Sequence, residues 1–136
     1  MNQMYLAIAA GIILIVLVFG TGFLLRRKPK KLNQMYYQER WQELQKLCKD
    51  KSTWPLAVID ADKLLDDALK RSKYKGKTMG ERLVSAQRDI SSNDEVWYGH
   101  KLRNRLVHEN NVKLSERDVK QALIGIRGAL KDLGAL

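Results

Sequence analysis

The residues best suited to chemistry lie in one short segment, Trp97-Tyr98-Gly99-His100-Lys101-Leu102-Arg103-Asn104-Arg105-Leu106-Val107-His108-Glu109. Set on a helix at about 100° per residue, Val96, Leu102, Leu106 and Val107 define an apolar face. Arg103 projects into the middle of that face, bordered by Gly99. His100, Asn104 and His108 run along its flank, with Asn104 and His108 four residues apart. Arginine stays ionised, so one set among core positions needs a carboxylate partner or a bound anion. The carboxylates on offer are Asp60 and Asp62, in the otherwise apolar run Val58-Ile59-Asp60-Ala61-Asp62. Two chemistries fit. Arg103 pairs with an aspartate and fixes helix register, or it binds phosphate in a polar pocket while His108 moves protons near neutral pH.

Arg103-Asn104-Arg105-Leu106-Val107-His108 resembles the signature of the HEPN superfamily. That signature is an arginine, a polar residue after it, and a histidine after four to six intervening positions. The resemblance implies an all-helical domain with the motif on a late helix, and a homodimer whose two motifs meet across a cleft. The activity it implies is metal-independent endoribonuclease cleavage, with RNA as a partner. Arg103 would hold the scissile phosphate or its transition state, His108 would be the general acid/base, and Asn104 would orient the site. RNA supplies its own nucleophile, the 2′-hydroxyl, so no cofactor or metal is expected. His100 and His108 are the only histidines, and no HExxH, CxxC or calcium-loop pattern occurs. At Asn110 the chain departs from one branch, the toxins of nucleotidyltransferase-paired systems, which carry a tyrosine there. HEPN-like domains also serve as non-catalytic modules. The rival expectation is therefore a helical interaction or scaffolding domain for an unidentified protein partner, with Arg103 in a structural ion pair.

Two apparent motifs fail on context. Gly76-Lys77-Thr78 resembles the end of a phosphate-binding loop, but Arg71 stands where the first glycine is needed and no strand precedes it. Gly125-Ile126-Arg127-Gly128 has the letters of an RNA-clamping loop but falls inside a helical pattern. Lys70, Arg71, Lys73, Lys75 and Lys77 form a basic connection that is either solvated or able to touch RNA phosphates. Trp41, Trp54 and Trp97 read as packing residues. Glycines at 125 and 128 weaken a helix unless another helix approaches them. Ile124, Gly125 and Gly128 are therefore a candidate dimer face.

The elements that must position these residues are all helical. Tyr37, Trp41, Leu44 and Cys48 repeat as one helical stripe. Ser52-Thr53 and Pro55 predict the start of a second helix reaching about Ser72, with Ala57, Val58, Ala61, Leu64, Leu65, Ala68 and Leu69 inward. Thr78 and Glu81 have capping-box spacing and open a third helix through about Ile90. A fourth is predicted over about 95–110. Ser115 and Asp118 open the last, whose seam is Val119, Leu123, Ile126, Leu130 and Leu133.

The fold class expected is all-α, with one N-terminal transmembrane helix followed by a compact four- to five-helix bundle. Of 136 residues, the first 25 carry no charge, although the chain has 25 Lys+Arg against 15 Asp+Glu and a formal charge of +10. Tyr5–Leu25 is long enough, at about 1.5 Å per residue, to cross a hydrocarbon core of about 30 Å. It exceeds the apolar run of a signal peptide and lacks a basic segment before it. The reading is residues 1–25 as a transmembrane anchor in the lipid bilayer, 26–33 as a basic juxtamembrane linker, and 34–136 as the bundle. Arg26-Arg27-Lys28-Pro29-Lys30-Lys31 places the linker and bundle on the cytoplasmic side of the plasma membrane, with the N-terminus outside. That cluster is a topology signal that can also hold anionic headgroups. It accounts for half of the net charge, so bulk charge says little about nucleic acid. The single Cys48 excludes an internal disulfide framework.

Overall fold

The structure is a computed structural model and describes residues 2–24 and 31–136. The basic run from Arg26 to Lys30 lies outside the described residues. The architecture is all helical, an N-terminal apolar helix followed by a compact helical domain, with no strand among the described residues. The elements are α1 (Asn2–Leu24), α2 (Gln34–Leu47), α3 (Trp54–Arg71), α4 (Met79–Ala86), α5 (Asn93–His108) and α6 (Glu116–Asp132). A single 3₁₀ turn, Lys51–Thr53, precedes α3.

Helix α1 is apolar on every side. The stretch Asn2–Gly20 has a mean hydropathy of 2.3 and no residue buried against the rest of the protein. The domain shows the opposite pattern, with one inward stripe per helix. Helix α2 buries Tyr37, Trp41 and Leu44, and α3 buries the predicted stripe together with Asp62. Apart from Val58 and Asp62, these residues join Leu83, Ile90, Val96, Ile126 and Leu130 in the main core. The core reaches back to Leu32, and Asn33 caps α2 by accepting from the Tyr36 N–H. Leu32, in the segment read from sequence as linker, thus packs with the domain. A second, smaller core holds Val58, Leu102, Val119 and Ala122, flanked by Trp54 and Leu106.

The caps differ in part from expectation. Ser115 and Asp118 form the predicted capping box of α6. The Thr78 side chain caps α4 through the Glu81 N–H, but α4 ends at Ala86 rather than running to Ile90. At the start of α3, Thr53 makes no side-chain cap bond. Its hydroxyl donates back to the carbonyls of Leu47 and Asp50, while Asp50 caps the 3₁₀ turn.

Helix α3 is central. It packs against α2, α4, α5 and α6. Tyr37 near the start of α2 bonds Asp67 near the end of α3, so these two run antiparallel. Leu102, in the second half of α5, packs in the same small core as Val58, in the first half of α3. Helix α5 therefore ends at the end of the domain opposite to the one where the chain enters.

Gly125 explains the closest contact. A Cβ there would collide with the Glu95 carbonyl, and one at Gly99 would sit 3.0 Å from the Ala122 carbonyl oxygen. The two glycines let α5 and α6 meet backbone to backbone. The helix approaching Gly125 is thus α5 of the same chain, which removes Gly125 from the candidate dimer face. Ile124 is exposed, and Gly128 has open space beside it.

Candidate functional site

Helix α5 carries three of the four polar groups of the site, and α3 supplies the fourth. Val96, Gly99, His100 and Leu102 are its buried residues. The apolar face drawn from sequence is corrected at its C-terminal end. Val107 is 48% exposed and Leu106 only half-buried, because the last turn lies at the margin of the smaller core. His100, expected on the flank, is buried at 8% exposure, with Trp97 edge-on to its ring at 5.7 Å.

Asp62, 2% exposed, is the carboxylate that answers Arg103. Its Oδ1 lies 3.0 Å from His100 Nδ1, and its Oδ2 lies 3.5 Å from Arg103 Nε. Arg103 Nη1 donates to Asn104 Oδ1 at 2.9 Å. Asn104 Nδ2 lies 3.3 Å from His100 Nε2. A carboxylate only accepts, so His100 Nδ1 carries the proton toward Asp62, and its Nε2 is then free to accept from the Asn104 amide. The four side chains form a closed ring, Asp62–His100–Asn104–Arg103, in which each orients the next. The weakest link is at Arg103 Nε. It is buried and makes no hydrogen bond, so the contact with Asp62 is an ion pair without hydrogen-bond alignment. Asp60 does not take part. It lines a separate groove between α2 and α3 with Lys63 and Asp67.

The ring faces an open polar pocket of about 420 Å³, bordered also by Lys63, Asp66 and the start of α4. Of the three predicted site residues, Arg103 and Asn104 come together here. His108 does not. It is exposed in the last turn of α5, outside this pocket, and makes no hydrogen bond or ion pair with a described residue.

Sequence reasoning missed two residues. His100 sits about 40° around the helix from buried Val96, an inward position that its polar character disguised. Arg82 is the more deeply buried arginine, its side chain 8% exposed against 27% for Arg103. It meets Asp66 at 2.7 Å and donates to the Gly76 carbonyl at 2.8 Å. The signal was present: Met79, Arg82, Leu83 and Ala86 follow helical spacing, with the arginine inside the stripe.

Elsewhere, phenols tie helices together. Tyr37 donates to Asp67 at 2.7 Å, and burial together with that carboxylate pushes its pKa well above the ordinary tyrosine value. Tyr98 donates to Asp118 at 2.9 Å and joins α5 to the start of α6. Ser115 holds the Asp118 carboxyl below its usual value through its hydroxyl and N–H. No family model, no curated protein and no solved structure matches the chain.

Proposed function

We propose that this chain is a single-pass membrane protein displaying a HEPN-like helical domain at the cytoplasmic face, where the domain serves as a non-catalytic interaction module. The anchor reading is supported by α1, whose apolar side chains from Met4 to Phe19 are all well exposed. Such a surface is stable only in an apolar medium or against another apolar surface. Orientation rests on the cations that follow the span. The observation that carries the non-catalytic reading is the closed ring. Arg103 is engaged by Asp62 and Asn104 within one chain, and the motif histidine stands apart from it. Arg103 then acts as a register pin between α5 and α3. The domain presents the end of α5, with Val107 and His108, on the side away from where the chain enters.

A second reading is favoured by one observation. Arg103 is still 27% exposed, and His108 is fully available on the same helix. A second copy placed against α5 could complete a ribonuclease site. The RNA 2′-hydroxyl would attack the adjacent phosphorus and expel the 5′-oxygen, leaving a cyclic phosphate, with His108 transferring a proton and Arg103 stabilising the phosphorane charge.

Incubating the full chain with RNA in EDTA separates the two. The module reading expects no cleavage by wild type, and a lower melting temperature for Arg103→Ala. Metal-independent cleavage that disappears in His108→Ala, with the melting temperature unchanged, would establish the ribonuclease instead.

A further inference from the structure

From Ala68 to Gly80 the chain contains five cations and no carboxylate: Lys70, Arg71, Lys73, Lys75 and Lys77. The fold sets this segment beside the point where the chain enters the domain. Tyr36, in the first turn of α2, has the Arg71 guanidinium over its ring at 5.9 Å, and Tyr37 shares Asp67 with Arg71. Lys31 and Met35, both exposed, lie on the same stretch of chain as Tyr36.

The segment is held in shape. Tyr74 packs on the core and donates to Asp89 at 2.8 Å, and the Tyr74 N–H closes the end of α3 on the Leu69 carbonyl. Lys73 adopts φ 66, the left-handed region where glycine is the usual residue, so a cation stands where glycine would cost less. The neighbouring carboxylates are already occupied. Asp66 meets Lys70 and Arg82, Asp67 meets Arg71 and Tyr37, Asp89 accepts from Tyr74, and Glu81 accepts from the Lys77 N–H. Lys73, Lys75 and Lys77 are exposed and in no ion pair among the described residues.

We infer that this surface, with Lys73, Lys75 and Lys77 at its centre and Lys31 and Met35 beside it, docks on the anionic headgroups of the bilayer that α1 spans. The inference rests on the membrane reading above. Seven residues separate Leu24 of α1 from Leu32 of the domain core, a reach of about 25 Å at full extension. A tether that short keeps the entry end of the domain near the headgroups at high effective concentration, so contacts too weak to recruit a free protein suffice. Clustered lysines beside a span are attracted by anionic lipid over roughly a Debye length, about 10 Å at 0.1 M salt. The docked domain would hold His108 and the end of α5 toward the cytosol.

The test uses the full chain in vesicles of phosphatidylcholine alone, or of phosphatidylcholine with phosphatidylglycerol. Flotation reports the span. Labelling by a membrane-impermeant amine reagent, read peptide by peptide, reports the surface, with exposed Lys51 and Lys113 as internal references. The expected result is flotation with both vesicle types, and several-fold slower labelling of Lys73, Lys75 and Lys77 in the anionic vesicles only, reversed at high salt. Lys51 and Lys113 should label alike in both. Equal labelling of all sites in a chain that floats with both vesicle types would overturn the docking and leave the span standing. Failure to float with phosphatidylcholine would remove the span, and the docking with it. Protection of these lysines by single-stranded RNA in detergent, but not by anionic vesicles, would assign the surface to nucleic acid instead.

Discussion

The first three turns of α5 and its last turn belong to one helix but obey different constraints. In the first part, Gly99 lies in backbone contact with α6, His100 is buried against Asp62, and Asn104 links His100 to Arg103. In the last turn, Val107 and His108 are exposed, and Arg105 reaches only its own helix end at Glu109. A motif that is continuous in sequence is thereby divided. Its arginine pairs with Asp62 on α3 and its asparagine bonds that arginine and His100, while its histidine is held by nothing described. Burial of charge explains the division. The buried Asp62 carboxylate must be answered by a cation and a donor, which Arg103 and His100 supply, whereas an exposed histidine is answered by water.

The largest effect should come from removing the shared carboxylate. Asp62→Ala leaves buried His100 without its acceptor and Arg103 without its counter-charge, and should cost about 3–5 kcal/mol in denaturant unfolding, the range for breaking a buried pair from one side. A cost below that of an ordinary surface substitution would mean that the ring does not hold the first part of α5. Gly125→Ala forces a methyl group into the α5 backbone at Glu95 and should cost roughly 1–3 kcal/mol, as overpacking does. If it left stability untouched and disrupted only self-association, the close approach would lie between chains. Acid should act more locally. Because Ser115 depresses the Asp118 carboxyl, that group adds stability above the ordinary aspartate value of about 4 and loses it as pH falls through its lower folded value. Amide protection at the start of α6, taken relative to the intrinsic exchange rate at each pH, should therefore fall in acid before protection in the first turns of α5 does. The smallest effect should be that of His108→Ala, within about 0.5 kcal/mol of wild type in a melt, as for surface positions without special contacts. A larger loss would show that the last turn of α5 is as constrained as the first three.

Much of the architecture was readable before any coordinates. Tyr37, Trp41 and Leu44 fall inside because residues three and four apart share a helix face. Ser115 and Asp118 mark the start of α6 because a hydroxyl and a carboxylate three residues apart can satisfy free N–H groups reciprocally. The site was readable only in part. Arg103 was identifiable as a polar group needing an answer, and the candidates were narrowed to Asp60 and Asp62. Arg82 escaped notice although it sits in an apolar stripe, and Gly125 was assigned to the wrong neighbour.

The sequence by itself determined what depends on near neighbours along the chain: an uncharged apolar helix, the inward stripe of each later helix, and most of their caps. Only the tertiary structure decided which aspartate meets Arg103, that His100 rather than His108 joins it, and that α5 is the helix lying on Gly125. The physical reason is one of range. Periodicity and capping act over three or four residues. The choice between Asp60 and Asp62, some forty positions from Arg103, is made by which face of α3 meets α5.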